Sequence, residues 1–147
     1  MSLLEQIEAD VKQAMKSRDE LKVSALRLMS NAIKIKAKDL LRPLNDDEEV
    51  QTLKTLLKQR RESVDMFTKG GRDDLADKER AEMAILDAYL PAQLDEAAIV
   101  KILDEVFALV NPQGAQDMGK IMKEAMARLG NQADGKLVNQ LVRARFA

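Results

Sequence analysis

Apolar residues recur at three- and four-residue steps in one segment after another of this chain, and that spacing leaves it little to fold into except helices. Leu3, Ile7, Val11 and Met15 fall four apart, and Val23, Leu26, Met29, Ile33, Ala37 and Leu40 form a second stripe. Met118, Ile121, Met122, Ala125, Met126 and Leu129 make a third, and Leu137, Val138, Leu141 and Val142 a fourth. Each stripe must find a partner to bury it. Aromatics supply only 3% of residues, so the core is left to Leu, Ile, Val, Ala and eight Met. That mixture suits helix packing and lacks the β-branched and aromatic runs of strands. The expected fold class is all-α.

Punctuation divides the stripes. Ser2 with Glu5 reads as a capping box opening the first helix, which Ser17-Arg18-Asp19 interrupts. The second runs from Glu20 to the Leu40 region and stops before Arg42-Pro43, because proline disfavours helix in the residue ahead of it. Asn45 with Glu48 opens a third, whose acidic first turn suits the helix dipole and which runs to Phe67 before Gly70-Gly71. A fourth spans roughly Asp73 to Leu90; its first half is polar, so part of it is expected to project from the body or meet a partner. After Pro91 the pattern restarts with an N-cap at Asp95 and three shorter helices. The predicted organisation is a helical N-terminal domain of about four helices over 1–90, a linker near 91–94, and a three-helix domain over 95–147.

With no Cys and no His, disulfides, thiolate nucleophiles, Cys/His zinc sites and imidazole chemistry are excluded. No G-x-S-x-G elbow, P-loop, Ser-Lys motif or dinucleotide fingerprint surrounds the serines and lysines, so no catalytic residue and no cofactor are expected. Asp46 to Glu49 could attract a divalent cation, but four consecutive carboxylates on a helix point in different directions and calcium-loop spacing is absent, so no metal is expected. There is no apolar run of spanning length and no apolar leader, and the reading is a soluble, cytoplasmic protein with no membrane partner.

A formal net charge of -1 gives no global pull on an acidic ligand, so any attraction is local. Residues 91–110 hold one Lys against four acids, whereas 111–147 hold six Lys/Arg against three. On the last helix Lys136, Gln140 and Arg143, with Asn139 beside them, lie opposite the apolar stripe, and Lys120 and Lys123 share a stripe of the helix before it. The ordinary interpretation is a solvated face, with Lys120 paired to Glu124 one turn on; the sharper one is contact with RNA phosphates. Gly119 is either a packing position or a place for backbone approach, and Asp134-Gly135 either a cap or an anion site, the cap being preferred. In Lys58-Gln59-Arg60-Arg61 an arginine is expected to lay its stem along the core and pair with an acid of the fourth helix, a second RNA contact being the alternative.

At Tyr89-Leu90-Pro91-Ala92-Gln93-Leu94, then Met118-Gly119-Lys120, then Ala133-Asp134-Gly135-Lys136-Leu137-Val138-Asn139, the sequence resembles the YqeY-like family over essentially its whole length. Residues 95–147 resemble the tail domain of the B subunit of the tRNA-dependent aspartyl/glutamyl amidotransferase. The resemblance implies a helical N-terminal domain joined to a three-helix tail associated with tRNA recognition. It implies tRNA or another structured RNA as ligand, with an amidotransferase or aminoacyl-tRNA synthetase as a possible partner. The expected RNA-binding residues are Lys120, Lys123, Lys136, Asn139 and Arg143. The chain departs from the family pattern at Asn131-Gln132, where a glycine and a basic residue are usual, and at Lys123, where many relatives carry glycine. Asn131 can still take a left-handed turn. Two rival functions stand beside a non-catalytic RNA-binding accessory protein. One is an interaction adaptor using the polar fourth helix or the Met118 to Met126 face; the other is a carbon-nitrogen ligase with glutamine as amide donor, which the family label implies.

Overall fold

The computed structural model describes residues 1–147. It is all-α, with seven helices: α1 (Leu3–Lys16), α2 (Glu20–Leu40), α3 (Asp46–Lys69), α4 (Asp73–Asp87), α5 (Glu96–Val110), α6 (Met118–Leu129) and α7 (Gly135–Ala144). The chain divides into two compact units, Met1–Leu90 and Pro91–Ala147.

In the first unit the local signals act where they fall. The Ser2 hydroxyl accepts from the Glu5 N–H, Asp19 caps α2 through the Lys22 N–H, and Asn45 and Glu48 form a reciprocal capping box on α3. Arg42 grips Glu48 with both guanidinium nitrogens, at 2.7 and 2.9 Å. That fork, with the Asn45 N–H, holds the Glu48 carboxyl down at about 2. Glu49 turns inward instead. It is 2% exposed, and its Oε2 accepts the Leu4 N–H at 2.9 Å, so a side chain of α3 satisfies a donor in the first turn of α1. The acidic run is thus divided between a helix cap and a tertiary cap.

Helix α2 ends in an unusual way. Leu41 sits in the left-handed region at φ 57° and is 90% exposed, a conformation that costs a branched residue about 1 kcal/mol and that glycine would hold freely. Helix α3 runs two residues past the expected end, to Lys69, because the turn is completed by Gly70 and by Gly71 at φ 73°. Helix α4 stops at Asp87, short of the expected Leu90: Ala88 still holds helical angles as its cap, and Leu90, directly ahead of Pro91, is disfavoured in that region. Nor does α4 project: it packs against α3 and α2 and buries Ala76, Glu82 and Leu86. The core of this unit is Ile7, Leu26, Met29, Ile33, Leu53, Leu57 and Leu86 with flanking apolar residues.

At the end of the unit the Tyr89 hydroxyl donates to the Asp10 carboxylate of α1. Burial, then the hydrogen bond and charge of Asp10, push the phenol well above its ordinary value of 10.0. A raised acid favours the fold below its unfolded value, and that contribution is lost as pH climbs above 10.0, where only the unfolded chain ionises. Tyr89 is the sole tyrosine, and there is no tryptophan, so phenolate absorbance reports this contact alone. In an alkaline titration phenolate is expected to appear only as helix is lost, and Asp10→Asn is expected to bring its onset down. Ordinary ionisation in a chain that is still helical would contradict the assignment.

In the second unit α5, α6 and α7 pack pairwise around Ile99, Leu103, Val106, Ile121, Ala125, Leu129, Ala133, Val138 and Val142. Asp95 caps α5, Asn111 ends it at φ 50°, and a short 3₁₀ turn, Ala115–Asp117, leads into α6. Leu94, just ahead of the cap, packs on the same core as Ile99, in the manner of a hydrophobic staple. Its N–H donates to the Gln132 carbonyl at 2.8 Å, and the Gln93 amide donates to the Asn131 carbonyl at 2.8 Å. The Gln93-Leu94 pair therefore clamps the α6–α7 turn. In that turn Gly130 takes the positive φ, 54°, and Asn131 does not need a left-handed conformation.

Candidate nucleic-acid interface

Helical geometry sets the cations of α6 and α7. On α6 the buried residues are Ile121, Ala125 and Leu129; Lys120 and Lys123 lie on the far side of the helix, and both are exposed. On α7 Val138 and Val142 face inward, which turns Lys136, Gln140 and Arg143 to solvent and leaves Asn139 half-buried at the edge of that stripe. The Met126 side of α6 lies against the start of α7, where a Cβ added at Gly135 would stand 3.8 Å from Met126 Cε. Lys123, one turn from Met126, and Lys136, next to Gly135, flank that contact.

Six cations follow residue 110, and the structure sorts them. Arg128 is taken up by Glu124 at 3.3 Å and by Glu105 of α5 at 3.5 Å. Arg145 is taken up by Asp104 of α5 at 2.6 Å and lies over the Phe107 ring, 4.9 Å from its centroid. Lys120 pairs loosely with Asp117 at 3.7 Å and stays 76% exposed; the expected Glu124 pair does not form, because Glu124 turns to Arg128. Lys123, Lys136 and Arg143 make no ion pair. The acids of α5 thus neutralise two arginines and spare three cations of the outward stripes.

Neighbouring features divide in the same way. An added Cβ at Gly119 meets nothing within 4 Å, so this glycine is no close-packing position; it exposes helix backbone beside Lys120. One of the free N–H groups opening α7 is engaged by Asp134, whose Oδ1 accepts from the Lys136 N–H at 3.1 Å. Met118, Met122 and Met126 are half-buried against the core of the unit, which removes them as an open partner groove. In the Lys58–Arg61 cluster Arg60 turns inward, its Nε 3.0 Å from Glu82 and 3.5 Å from Glu79 of α4, while Lys58 and Arg61 stay exposed. Sequence reasoning missed the structural work of Gln93 and of Arg145. A signal for the latter was present, since Asp104 and Phe107 lie one turn apart on a face of α5.

The chain is similar to proteins named "Altered inheritance of mitochondria protein 41, mitochondrial". It is 39% identical to that of Eremothecium gossypii over 90 residues, covering 60% of this chain and 49% of the relative. It is 34% identical to that of Saccharomyces cerevisiae over 105 residues, covering 67% and 57%, and 34% identical to that of Vanderwaltozyma polyspora over 85 residues, covering 57% and 46%. The chain spans about half the length of the curated relatives it matches. Their name overturns the cytoplasmic placement expected from the sequence. That expectation rested on the lack of an apolar leader or span, which bears on secretion and membrane insertion and not on organelle; no helix here is long and apolar enough to cross a membrane. The model of the YqeY-like proteins matches residues 4–146, nearly the whole chain, and on that match the protein belongs to the YqeY-like family.

Proposed function

We propose that the C-terminal unit is a non-catalytic RNA-binding module, with tRNA as the structured RNA it takes and an amidotransferase or aminoacyl-tRNA synthetase as the machinery it accompanies. The observation that carries this reading is the solvent-facing, unpaired state of Lys123, Lys136 and Arg143 on α6 and α7, with Lys120 only loosely held. Lysines act there as point charges toward phosphate, Arg143 offers a planar fork, and Asn139 supplies an amide at the edge of the stripe. Three phosphate contacts give a counterion-release slope of about -2.7, so a fourfold rise in salt weakens binding about fortyfold. Binding of this size is modest and gains selectivity from RNA shape more than from base reading.

A tRNA titration at two salt concentrations tests it. Lys136→Glu with Arg143→Glu is expected to weaken binding about tenfold or more and to flatten the salt dependence, with helical content unchanged. Lys58→Glu with Arg61→Glu, the same change of charge on exposed positions of α3, is expected to leave affinity nearly intact. No binding by the wild type, or equal losses in the two variants, would reject the module.

A further inference from the structure

Basic charge is concentrated in one stretch of the first unit. Residues 11–38 hold eight Lys/Arg against two acids, whereas the rest of that unit, 1–10 and 39–90, holds nine against sixteen. Helical geometry spreads part of this charge along the outward side of α2. Arg27, Asn31, Lys34 and Lys38 recur at steps of four, three and four and are all exposed, forming a row about 16 Å long. Arg27 donates to Met15 Sδ at 3.6 Å and Lys34 pairs with Glu8 at 2.9 Å, so the row borders α1, where exposed Lys12 lies between those two contacts. Lys12, Arg18, Arg27 and Lys38 make no ion pair. The nearest acids are Glu5 and Glu8 at the start of α1 and Glu20 at the start of α2, and Glu8 is already taken up by Lys34. Beside the row stand apolar side chains that the unit leaves uncovered: Met15 is 53%, Leu28 44% and Ile35 61% exposed. Met15 and Leu28, with Val23, line a groove of about 660 Å³ that also carries Arg18 and Arg27. On the α3 side the face ends at Asp39, Asp47 and Glu48.

Cations set among aliphatic side chains on one rigid face match a layer of anionic lipid headgroups, whose phosphates lie above acyl chains. We infer that the α1–α2 face docks on an anionic membrane surface, with Met15, Leu28 and Ile35 entering the headgroup layer and Lys12, Arg27 and Lys38 on lipid phosphates. The chain's aromatics, three Phe and one Tyr, all fall outside α1 and α2, so the face has no platform on which bases could stack. Its exposed aliphatic side chains would gain nothing against a nucleic-acid backbone, whereas acyl chains accept them. The acids on the α3 side are repelled by the same surface and so set which edge tilts away from it. No helix is long and apolar enough to cross a membrane, which bears on insertion and not on adsorption. The inference rests on α1 and α2 alone and is independent of the RNA reading.

Co-sedimentation of the full chain with vesicles of phosphatidylcholine alone, and of phosphatidylcholine mixed with phosphatidylglycerol, tests it. Binding is expected only to the anionic vesicles and is expected to fall as salt rises. Arg27→Gln with Lys38→Gln is expected to weaken it about twenty-fivefold, a factor of about five for each cation removed. Leu28→Ser with Ile35→Ser is expected to weaken it while keeping the salt dependence. Lys136→Glu with Arg143→Glu, which separates this face from the RNA reading, is expected to leave vesicle binding unchanged. Because the chain has no cysteine, a polarity-sensitive dye on Ile35→Cys reports the contact: it is expected to shift to the blue on anionic vesicles, and one on Met66→Cys, exposed on α3, is not. No binding by the wild type, equal binding to neutral vesicles, or a dye that shifts equally at both positions overturns the docking. So does loss of tRNA binding in place of vesicle binding when Arg27 and Lys38 are changed, which would assign the face to nucleic acid.

Discussion

Replacing Arg60 with alanine is expected to destabilise the first unit by about 3 kcal/mol. Its Nε stands 3.0 Å from Glu82 and 3.5 Å from Glu79, with side-chain exposures of 20% for Arg60, 18% for Glu79 and only 8% for Glu82. Neither line is aimed as a hydrogen bond, so the attraction is that of ions in a poorly solvated cleft between α3 and α4. Removing the cation leaves two carboxylates facing each other with little water to share. The cost is therefore the stranding of charge, not the loss of a favourable pair. For a unit of this size about 3 kcal/mol lowers the melting temperature by roughly 15 °C. Arg60→Met combined with Glu79→Gln and Glu82→Leu is expected to recover most of the loss. Calorimetry of the two proteins checks the pair of expectations, and a triple variant as unstable as Arg60→Ala would show that the geometry of the ion cluster itself was stabilising.

Ile121→Ala is expected to cost about 3–4 kcal/mol, through lost transfer energy and the cavity left behind. Ile121 is fully buried among Leu103, Val106, Ala125 and Val142 in the core of the C-terminal unit. The location magnifies the effect. A unit running only from Pro91 to Ala147 buries a smaller share of its surface than a large domain does, and a core of that size supplies about 3–5 kcal/mol in all. The substitution therefore removes most of the unit's margin. Circular dichroism is expected to show the share of helix belonging to α5, α6 and α7 melting early, with the α1 to α4 share melting as in the wild type. Loss of both shares in one unshifted transition would contradict this. Ala127→Ser, exposed on the same helix, serves as the comparison and is expected to change little.

What was legible in the sequence was whatever a single helix decides for itself. The apolar stripes of Ile7, Leu26, Ile121 and Val138 are buried as their spacing requires, and the caps at Ser2, Asn45, Asp95 and Asp134 close the donors they should. That Arg60 or Arg61 would turn inward was also legible, because a cation flanked by Leu57 and Val64 has a core beside it and acids on the next helix; that it is Arg60 was not. Choices between helices were not. Glu124 takes Arg128 rather than Lys120, the better order of acid before cation one turn apart, but the second acid on Arg128, Glu105, comes from α5 and no spacing within α6 announces it. Arg145 counted as a surface cation until α5 brought Asp104 and Phe107 beneath it. The positive φ fell on Gly130 because the two carbonyls after it are held by Leu94 and Gln93, thirty-eight residues upstream.

The carboxylate of Glu49 imposes an order on biosynthesis. Leu4 emerges from a ribosome long before the acid that will accept its amide proton, which follows 45 residues later. Until then the first helix frays at its start, held by one serine hydroxyl, with α2 as the only helix its apolar stripe can pack against. A pause in translation ahead of that codon leaves a nascent segment open to proteases and to chaperones that bind exposed leucine and isoleucine. Glu49→Gln, which keeps the acceptor and discards the charge, would preserve this order of events, whereas Glu49→Ala would leave the leading segment without its anchor even after release.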